Sequence, residues 1–554
     1  MSAVPIGRAL RMLCAAALLV AAPIALAAPH QRAAATTNPE TSSIGEAIYR
    51  FGRLPSGQPL RGERAGGVHA DGLDAACVNC HRRSGLGAAE GRGFIPPITG
   101  QFLFHANSAD RQSHDLFYIE GARPNREPYT AVSLARAIRE GVGVDGKPLS
   151  VLMPRFALDN ASMTALITYL RQLSTQTVPG VSDTVLQFAT IVTPDADPVK
   201  RDAMLAVLND YFAEKNANAR FASPKLYSYR KQMFMVTRHW QLHVWELKGP
   251  ANTWEAQLQH FLTAEPVFAV ISGIGGRNWA PVHHFCERSG LPCLFPNVQL
   301  PVVAEGDFHT LYFSKGVLLE AGLIAQALQD RAAGPAIHRL VQIYRADDIG
   351  SDAARALALR AGKAGVEIVN RPLQGTGSGL AAAVAAAGPT DALVLWLRPG
   401  DLAALGTSPA KARQVWVSGL MGGLESAPLP AAWRSATRMA YPFDLPDRRR
   451  VRVDYPQGWF RIRKIAVTDL QVQADTFLAC GLLSETLNHM ADAFVRDYLI
   501  ERIEGMLEHR VITGYYPRLA LAPGQRFASK GGYIVRFAGD TGTKLTAASE
   551  WIVP

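Results

Sequence analysis

The stretch "AACVNCHRRSGLG", residues 75–87, brings Cys77, Cys80 and His81 together in the spacing C-x-x-C-H. Two cysteines so spaced can close a redox-active disulfide, supply half of a zinc site, or bond covalently to a haem. The adjacent histidine separates these chemistries. In c-type attachment the thiols add to the haem vinyl groups and the next imidazole sits under the iron. A zinc site needs two more ligands at short spacing, and no second C-x-x-C or H-x-x-x-H occurs nearby. A thioredoxin-like dithiol sits in a βαβ context, whereas the flanks here, "GVHADGLDAA" and "RRSGLGAAEGRGF", are rich in glycine. The motif predicts one covalently attached haem c, held by Cys77 and Cys80, with His81 as an axial ligand.

A distal ligand is present further along. In "GVDGKPLSVLMPRFALDNASMTALITYLRQL", Met153 is followed by Pro154 and Phe156. A helix is expected to start at Asp159 or Asn160, both good N-cap residues. It would continue through Leu166, Ile167, Leu170 and Leu173 at helical spacing. Met153 is the expected second ligand, and a thioether opposite the imidazole favours ferrous iron. Met163 is the fallback inside the helix, and His69, His105 or His114 would give bis-histidine ligation. With both axial positions filled, the iron would cycle by single electrons and leave no open position for oxygen or peroxide. Arg82 and Arg83 would lie near the haem propionates or on the surface.

The segment 42–175 that holds these residues resembles a class I c-type cytochrome domain. "GEAIYRFG" resembles its first helix, with Gly45 and Tyr49 as packing positions, and "FIPPITG" the segment lining the haem edge. "SLARAIREGVGVDGKPL" resembles the third helix and the approach to the distal ligand, and "LMPRF" the ligand loop. The resemblance implies an all-α domain in which the last helix, "MTALITYLRQL", packs across the first. The stretch "HANSADRQSHDLFYIEGARPNREPYT" is longer than such a domain needs, and reads as a docking or haem-shielding loop.

The N-terminus gives the compartment. Arg8 and Arg11 precede the apolar run "MLCAAALLVAAPIALAA", and Ala25-Leu26-Ala27 offers a small-x-small cleavage site, the layout of a secretory signal peptide over residues 1–27. Cys14 would leave with it. No later stretch is apolar enough to cross a bilayer, so the expected location is the periplasm. The 554 residues are enough for about three core-forming units. The formal charge of +10 is scattered. Its densest run, Arg448-Arg449-Arg450, lacks interleaved aromatics and reads as a solvated loop, so nucleic-acid binding is not inferred. Export makes a Cys286–Cys293 disulfide plausible, while Cys480 reads as a buried thiol.

After a linker at 176–184 the pattern changes. Apolar runs such as "VLQFATIVT", "VFAVISGI", "RLVQIYR", "DALVLWL" and "QVWVSGL" alternate with amphipathic stretches such as "PVKRDAMLAVLNDYFAEKNA" and "DIGSDAARALALRAGKAG". That alternation argues for parallel sheets covered by helices, in two lobes with a cleft between them. Ligands in such sheets bind outside the carboxyl ends of strands. Glycines cluster there in "ISGIGGRN" and "VSGLMGG", but neither fits G-x-G-x-x-G, and no G-x-x-x-x-G-K-[ST] occurs, so nucleotide binding is unsupported.

Residues 185–554 resemble the type I periplasmic solute-binding proteins, the group that includes branched-chain amino-acid receptors. The likeness rests on the lobe pattern, "CERSGLPCLFPN", "YRADDIGSDAARAL" and "GYYPRLALAPGQRFASKGGYIVRF". It implies ligand contacts at Ser272 and Asn278 in the first lobe and at Asp348 and Trp396 in the second. His283-His284 reads as a helix-surface pair, and no G-x-S-x-G or H-E-x-x-H suggests an enzyme. The combined expectation is a multidomain chain: an all-α cytochrome c domain followed by a bilobed α/β binding-protein-like fold. Its function would be periplasmic electron transfer, with the second module binding a small molecule or docking a redox partner, a quinoprotein dehydrogenase or a terminal oxidase chain. The alternative is a solute-binding or sensing protein of a transport system whose haem modulates or reports redox state.

Overall fold

The computed structural model describes residues 39–64, 66–90, 93–105, 127–221, 238–329, 337–375, 379–490, 493–538 and 544–554. The expected signal peptide and residues 106–126 of the long insertion lie outside them.

In the N-terminal module, helix α1 (Pro39–Phe51) precedes strands β1 (Arg61–Arg64) and β2 (Val68–Asp71). A short helix α2 (Val78–His81) carries the end of the cysteine motif, and strands β3 (Ala88–Glu90) and β4 (Gly93–Ile95) form a hairpin. Helices α3 (Gly100–Phe104) and α4 (Ala131–Glu140), strand β5 (Arg155–Phe156) and helix α5 (Asn160–Gln172) complete it. The module is therefore not all-α. Gly66 and Gly67 both take positive φ, which lets β1 turn back and pair antiparallel with β2, while β5 adds on the other side. Gly67 opens the glycine-rich flank that precedes Cys77.

Helices α1 and α5 cross as expected, and the reason is steric. A Cβ at Gly45 would overlap the Ala165 carbonyl and the Tyr169 side chain, so only glycine lets the helices approach this closely. Tyr49 packs on Tyr169 with ring centroids 5.4 Å apart. Asp159 caps α5, accepting from the Ser162 N–H at 2.7 Å. A separate core forms around Ile48, Tyr49, Leu134, Phe156, Leu166 and Leu170, with Cys77, Ile98, Phe104, Tyr129 and Met153 at its half-buried rim.

The remainder holds two sheets. The first is wholly parallel, in the order β10-β9-β8-β6-β7. It comprises β6 (Val185–Val192), β7 (His239–Glu246), β8 (Ala269–Ile271), β9 (Cys293–Leu294) and β10 (Thr310–Leu311). Helices α6 (Pro198–Phe221), α7 (Trp254–Ala264) and α8 (Ala280–Arg288) connect them. After helix α9 (Val317–Gln329) the chain builds the second sheet, in the order β12-β11-β13-β14-β15-β16-β17. Strands β11 (Arg339–Arg345), β12 (Glu367–Leu373), β13 (Ala392–Trp396), β14 (Gln414–Ser418) and β15 (Thr437–Tyr441) run parallel. Strands β16 (Tyr533–Ala538) and β17 (Lys544–Ala547) are antiparallel additions. Helices α10 (Gly350–Lys363) and α11 (Leu380–Ala385) belong to this second lobe.

Between β15 and β16 the chain returns to the first lobe through helices α12 (Pro446–Arg463), α13 (Leu470–Met490) and α14 (Arg496–Leu507). Helix α13 packs along α6, and Trp459 of α12 donates to Glu214 at 2.6 Å. Strands buried on both faces explain the continuous apolar runs seen in the sequence. The bilobed α/β architecture is as expected. The run at 448–450 is not a solvated loop: it lies in α12, and Arg449 is buried, donating to the Asp444 carbonyl at 2.8 Å and to Glu425 at 2.7 Å. Within the linker at 176–184, Gly180 packs directly on the backbone of Val267 and Phe268.

Candidate functional sites

The C-x-x-C-H turn is fixed from several directions. His81 is buried, and its Nδ1 lies 3.1 Å from the Pro96 carbonyl, just after β4. Burial pulls the imidazole down to about 4, against the opposing pull of that carbonyl, so the ring is neutral near pH 7. A neutral ring donating from Nδ1 presents the Nε2 lone pair outward, the arrangement common to metal-ligating histidines. Cys77 and Cys80 are free and half-buried, and burial raises the Cys77 thiol to about 12. That is the reverse of an activated redox dithiol, whose attacking sulfur is stabilised as thiolate. Among the described residues, no His, Cys or carboxylate set of three gathers on these thiols, as a structural zinc site would require.

Met153 is half-buried at the same core rim as Cys77, in the loop just before β5. Met163, the fallback, is packed inside the module core. His69 lies on β2, His105 is exposed at the end of α3, and His114 is outside the described residues. Arg82 and Arg83 are half-buried rather than exposed, with Arg82 3.8 Å from Glu504 and Arg83 3.5 Å from Asp497.

The second site is a cleft of about 470 Å³ at the carboxyl ends of strands from both lobes. Asp195 follows β6, Arg277 and Asn278 follow β8, and Asp348 and Ser351 follow β11. Trp254 at the start of α7 forms a wall, with its indole N–H on the Gly249 carbonyl at 3.0 Å. Asp195 accepts from the Thr193 hydroxyl at 2.6 Å and the Arg277 N–H at 2.7 Å. Its partial desolvation opposes ionisation, but these donors outweigh it and hold the carboxyl below the usual range. Asp348 is gripped by Arg398 through two hydrogen bonds of 2.7 and 2.9 Å. Arg277 reaches across the cleft, donating to the Asp347 carbonyl and lying 3.5 Å from its carboxylate. Carboxylates outnumber cations around this opening.

The structure brings Asn278 and Asp348 to the cleft but not the other two expected contacts. Ser272 is buried under Asn297 and Thr476, with hydrogen bonds of 2.8 and 3.0 Å. Trp396 is wholly buried in the second-lobe core, where its indole donates to Gln342 at 3.0 Å. Both were placed by sequence position at strand ends, where side chains alternate between pocket and core. Asp195 also lines the cleft and was not among the expected contacts, although it lies just after a buried parallel strand, where such openings form.

Two other expectations change. Cys286 and Cys293 are free buried thiols in hydrogen-bond contact, packed as small apolar groups between α8 and β9, and not a disulfide. His283 is not on the helix surface: it is buried between Tyr312 and Asp307 at 2.9 and 2.8 Å. Although His283, Glu287 and Asp307 are close enough to surround an ion, both ring nitrogens are engaged, and Glu287 accepts from the backbone N–H groups of Phe308, His309 and Thr310.

No known protein family and no curated protein matches the chain in sequence. Solved structures resemble it at low identity. A fatty acid ABC transporter substrate-binding protein from Thermomonospora curvata is 16% identical, over 68% of this chain and 95% of that one, with a TM-score of 0.49. A leucine-binding protein from Thermotoga maritima is 11% identical, over 67% and 99%, with a TM-score of 0.47. A branched-chain amino acid ABC transporter protein from Thermus thermophilus, solved with valine bound, is 10% identical, over 68% and 98%, with a TM-score of 0.48. Among the described residues, no helix is long and apolar enough to cross a membrane.

Proposed function

We propose that this chain is an exported solute-binding protein that carries a covalently attached haem on its N-terminal module. The observation that carries the binding role is the cleft, open at the strand ends of both lobes and lined by polar side chains from each. Its ligand is a small polar solute, captured for a transport or signalling partner. Asp195, ionised and oriented by its donors, and Asn278 would contact it from the first lobe. Asp348 would contact it only in competition with Arg398. Thermal-shift screening of the full chain against amino acids, amines and carboxylic acids tests this. A hit lost in Asp195→Ala and Asn278→Ala supports the reading, and a hit unchanged in both refutes this site.

The haem reading is favoured by the His81–Pro96 geometry. Cys77 and Cys80 would hold the group, His81 would bind iron through Nε2, and Met153 is the candidate second ligand. The group would supply reversible one-electron chemistry. The protein's part is to keep His81 neutral and aimed, through burial and the Pro96 carbonyl, and to carry electrons to or from a periplasmic partner such as a quinoprotein dehydrogenase. Expression with c-type maturation machinery, followed by denaturing electrophoresis stained for haem, tests attachment. Loss of the stain in Cys77→Ala/Cys80→Ala is expected, and absence of stain from the parent protein refutes it. A methionine-to-iron absorption band lost in Met153→Ala identifies the second ligand.

A further inference from the structure

The residue after His81 is held in a conformation that side chains avoid. Arg82 has φ 64° and ψ 172°, a region occupied almost only by glycine. Such a conformation persists only when its surroundings over-determine it. Part of that restraint is local: the Tyr49 hydroxyl donates to the Arg82 carbonyl at 2.7 Å, and the Ser174 hydroxyl to the Ser84 carbonyl at 2.6 Å. The rest comes from the far end of the chain. Helix α14 presents Asp497, Glu501 and Glu504, spaced by four and three residues on one face. Each engages this turn.

Glu501 is the centre of the contact. Its carboxyl group receives the Ser84 N–H at 3.0 Å and pairs with the Ser84 hydroxyl at 2.6 Å, and both residues are buried. The same Ser84 hydroxyl receives the Leu86 N–H at 3.1 Å, so the carboxyl organises three consecutive residues. Asp497 faces Arg50 and Arg83 at 3.6 and 3.5 Å and His309 at 3.2 Å. Arg83 also lies over the Phe308 ring at 4.1 Å. Helix α14 is itself anchored in the first lobe, where Arg496 donates to the Val267 and Phe268 carbonyls at 2.6 and 3.1 Å. Leu86 and Phe102 of the N-terminal module join the hydrophobic core of the α/β module.

We infer that Glu501 is a positioning residue for the C-x-x-C-H turn, and that through α14 the solute-binding lobe sets the geometry of the haem site. This rests on the haem reading, but the contact itself does not. The group that fixes the turn comes from an element anchored beside β8, and β8 leads into the loop that supplies Arg277 and Asn278 to the cleft.

The test uses the full-length haem-loaded protein and three variants: Glu501→Ala, Glu501→Gln and Asp454→Asn. Asp454 is an exposed acid on α12 and controls for charge alone. Wild type is expected to melt in a single calorimetric transition. Glu501→Ala should split it, with the N-terminal module melting first. The ratio of oxidised to reduced haem at the wild-type midpoint potential should also change several-fold. Glu501→Gln, which keeps an acceptor for the Ser84 N–H, should fall between, and Asp454→Asn should match wild type on both readouts. Glu501→Ala indistinguishable from wild type, or matched by Asp454→Asn, overturns the inference. If Glu501→Ala does not fold, Ser84→Ala takes its place, and wild-type behaviour on both readouts overturns the inference equally. A chain that takes up no haem refutes the haem reading, while the calorimetry still decides whether α14 holds the turn.

Discussion

The C-x-x-C-H turn and the interlobe cleft treat charge in opposite ways. At the turn, half-buried arginines meet acids from another domain, a buried carboxyl group caps the backbone, and one residue is held in a strained conformation. At the cleft, Asp195 and Asn278 are exposed, and Arg277, which spans the opening, is exposed as well. The restraints on the turn come from three parts of the chain. The cleft leaves Asp195, Asn278 and Arg277 open to solvent. Buried restraint from many sides suits a fixed backbone geometry, and an open rim of exposed polar groups suits access from solvent.

The largest expected effect separates the two regions outright. His81→Ala should abolish the haem α-band of the reduced protein while leaving solute-dependent thermal shifts intact. Asp195→Ala should do the reverse. If either variant removes both signals, the two sites are not separable.

Next in size is the joint between them. Arg526 pairs with Glu504 in buried surroundings and also donates to the Phe308 carbonyl at 2.6 Å. Arg526→Ala strands the carboxylate and should cost about 3–5 kcal/mol in urea unfolding. A loss below about 1 kcal/mol, the range of an exposed pair, would mean that the joint is wetter than its geometry indicates.

The second lobe gives a pH signature of its own. Burial raises the Glu320 carboxyl to about 8, against the opposing donors from Ser418 and Leu420. Its folded value lies above its unfolded one, so the stability it contributes is complete below about pH 4.5, the ordinary value, and is lost as pH rises through about 8. Urea midpoints should fall across this window, and Glu320→Gln should flatten that part of the fall. An unchanged slope in the variant would assign the effect to other groups. The smallest stability effect belongs to Arg277→Ala, whose pair with Asp347 is exposed and worth less than about 1 kcal/mol. Its solute affinity should nevertheless change, and a wild-type binding curve would remove Arg277 from the site.

The same contrast explains what could be read in advance. Cys77, Cys80 and His81 fall within five residues, so the pattern itself was visible locally, and the crossing of α1 on α5 followed from Gly45, Tyr49 and the periodic leucines. Strands β6, β11, β13 and β14 were legible because parallel strands buried on both faces are continuous apolar runs. Of the four expected contacts, Asn278 and Asp348 line the cleft, while alternation at strand ends turned Ser272 and Trp396 into the core. Arg449 shows the same limit, since three arginines in a row look solvated until Tyr441 and Glu425 are placed around one of them. Ser84 and Glu501 are 417 positions apart, and nothing local in the sequence joins them.

Gly180 has a consequence for how the molecule can be taken apart. The chain leaves the N-terminal module pressed against Val267 and Phe268 instead of swinging free, and Leu86 and Phe102 are covered by the neighbouring lobe. Cutting the polypeptide at that point would bare an apolar seam on each fragment. The two halves should resist protease nicking between residues 176 and 184 while folded, and each expressed alone should aggregate or seek the other.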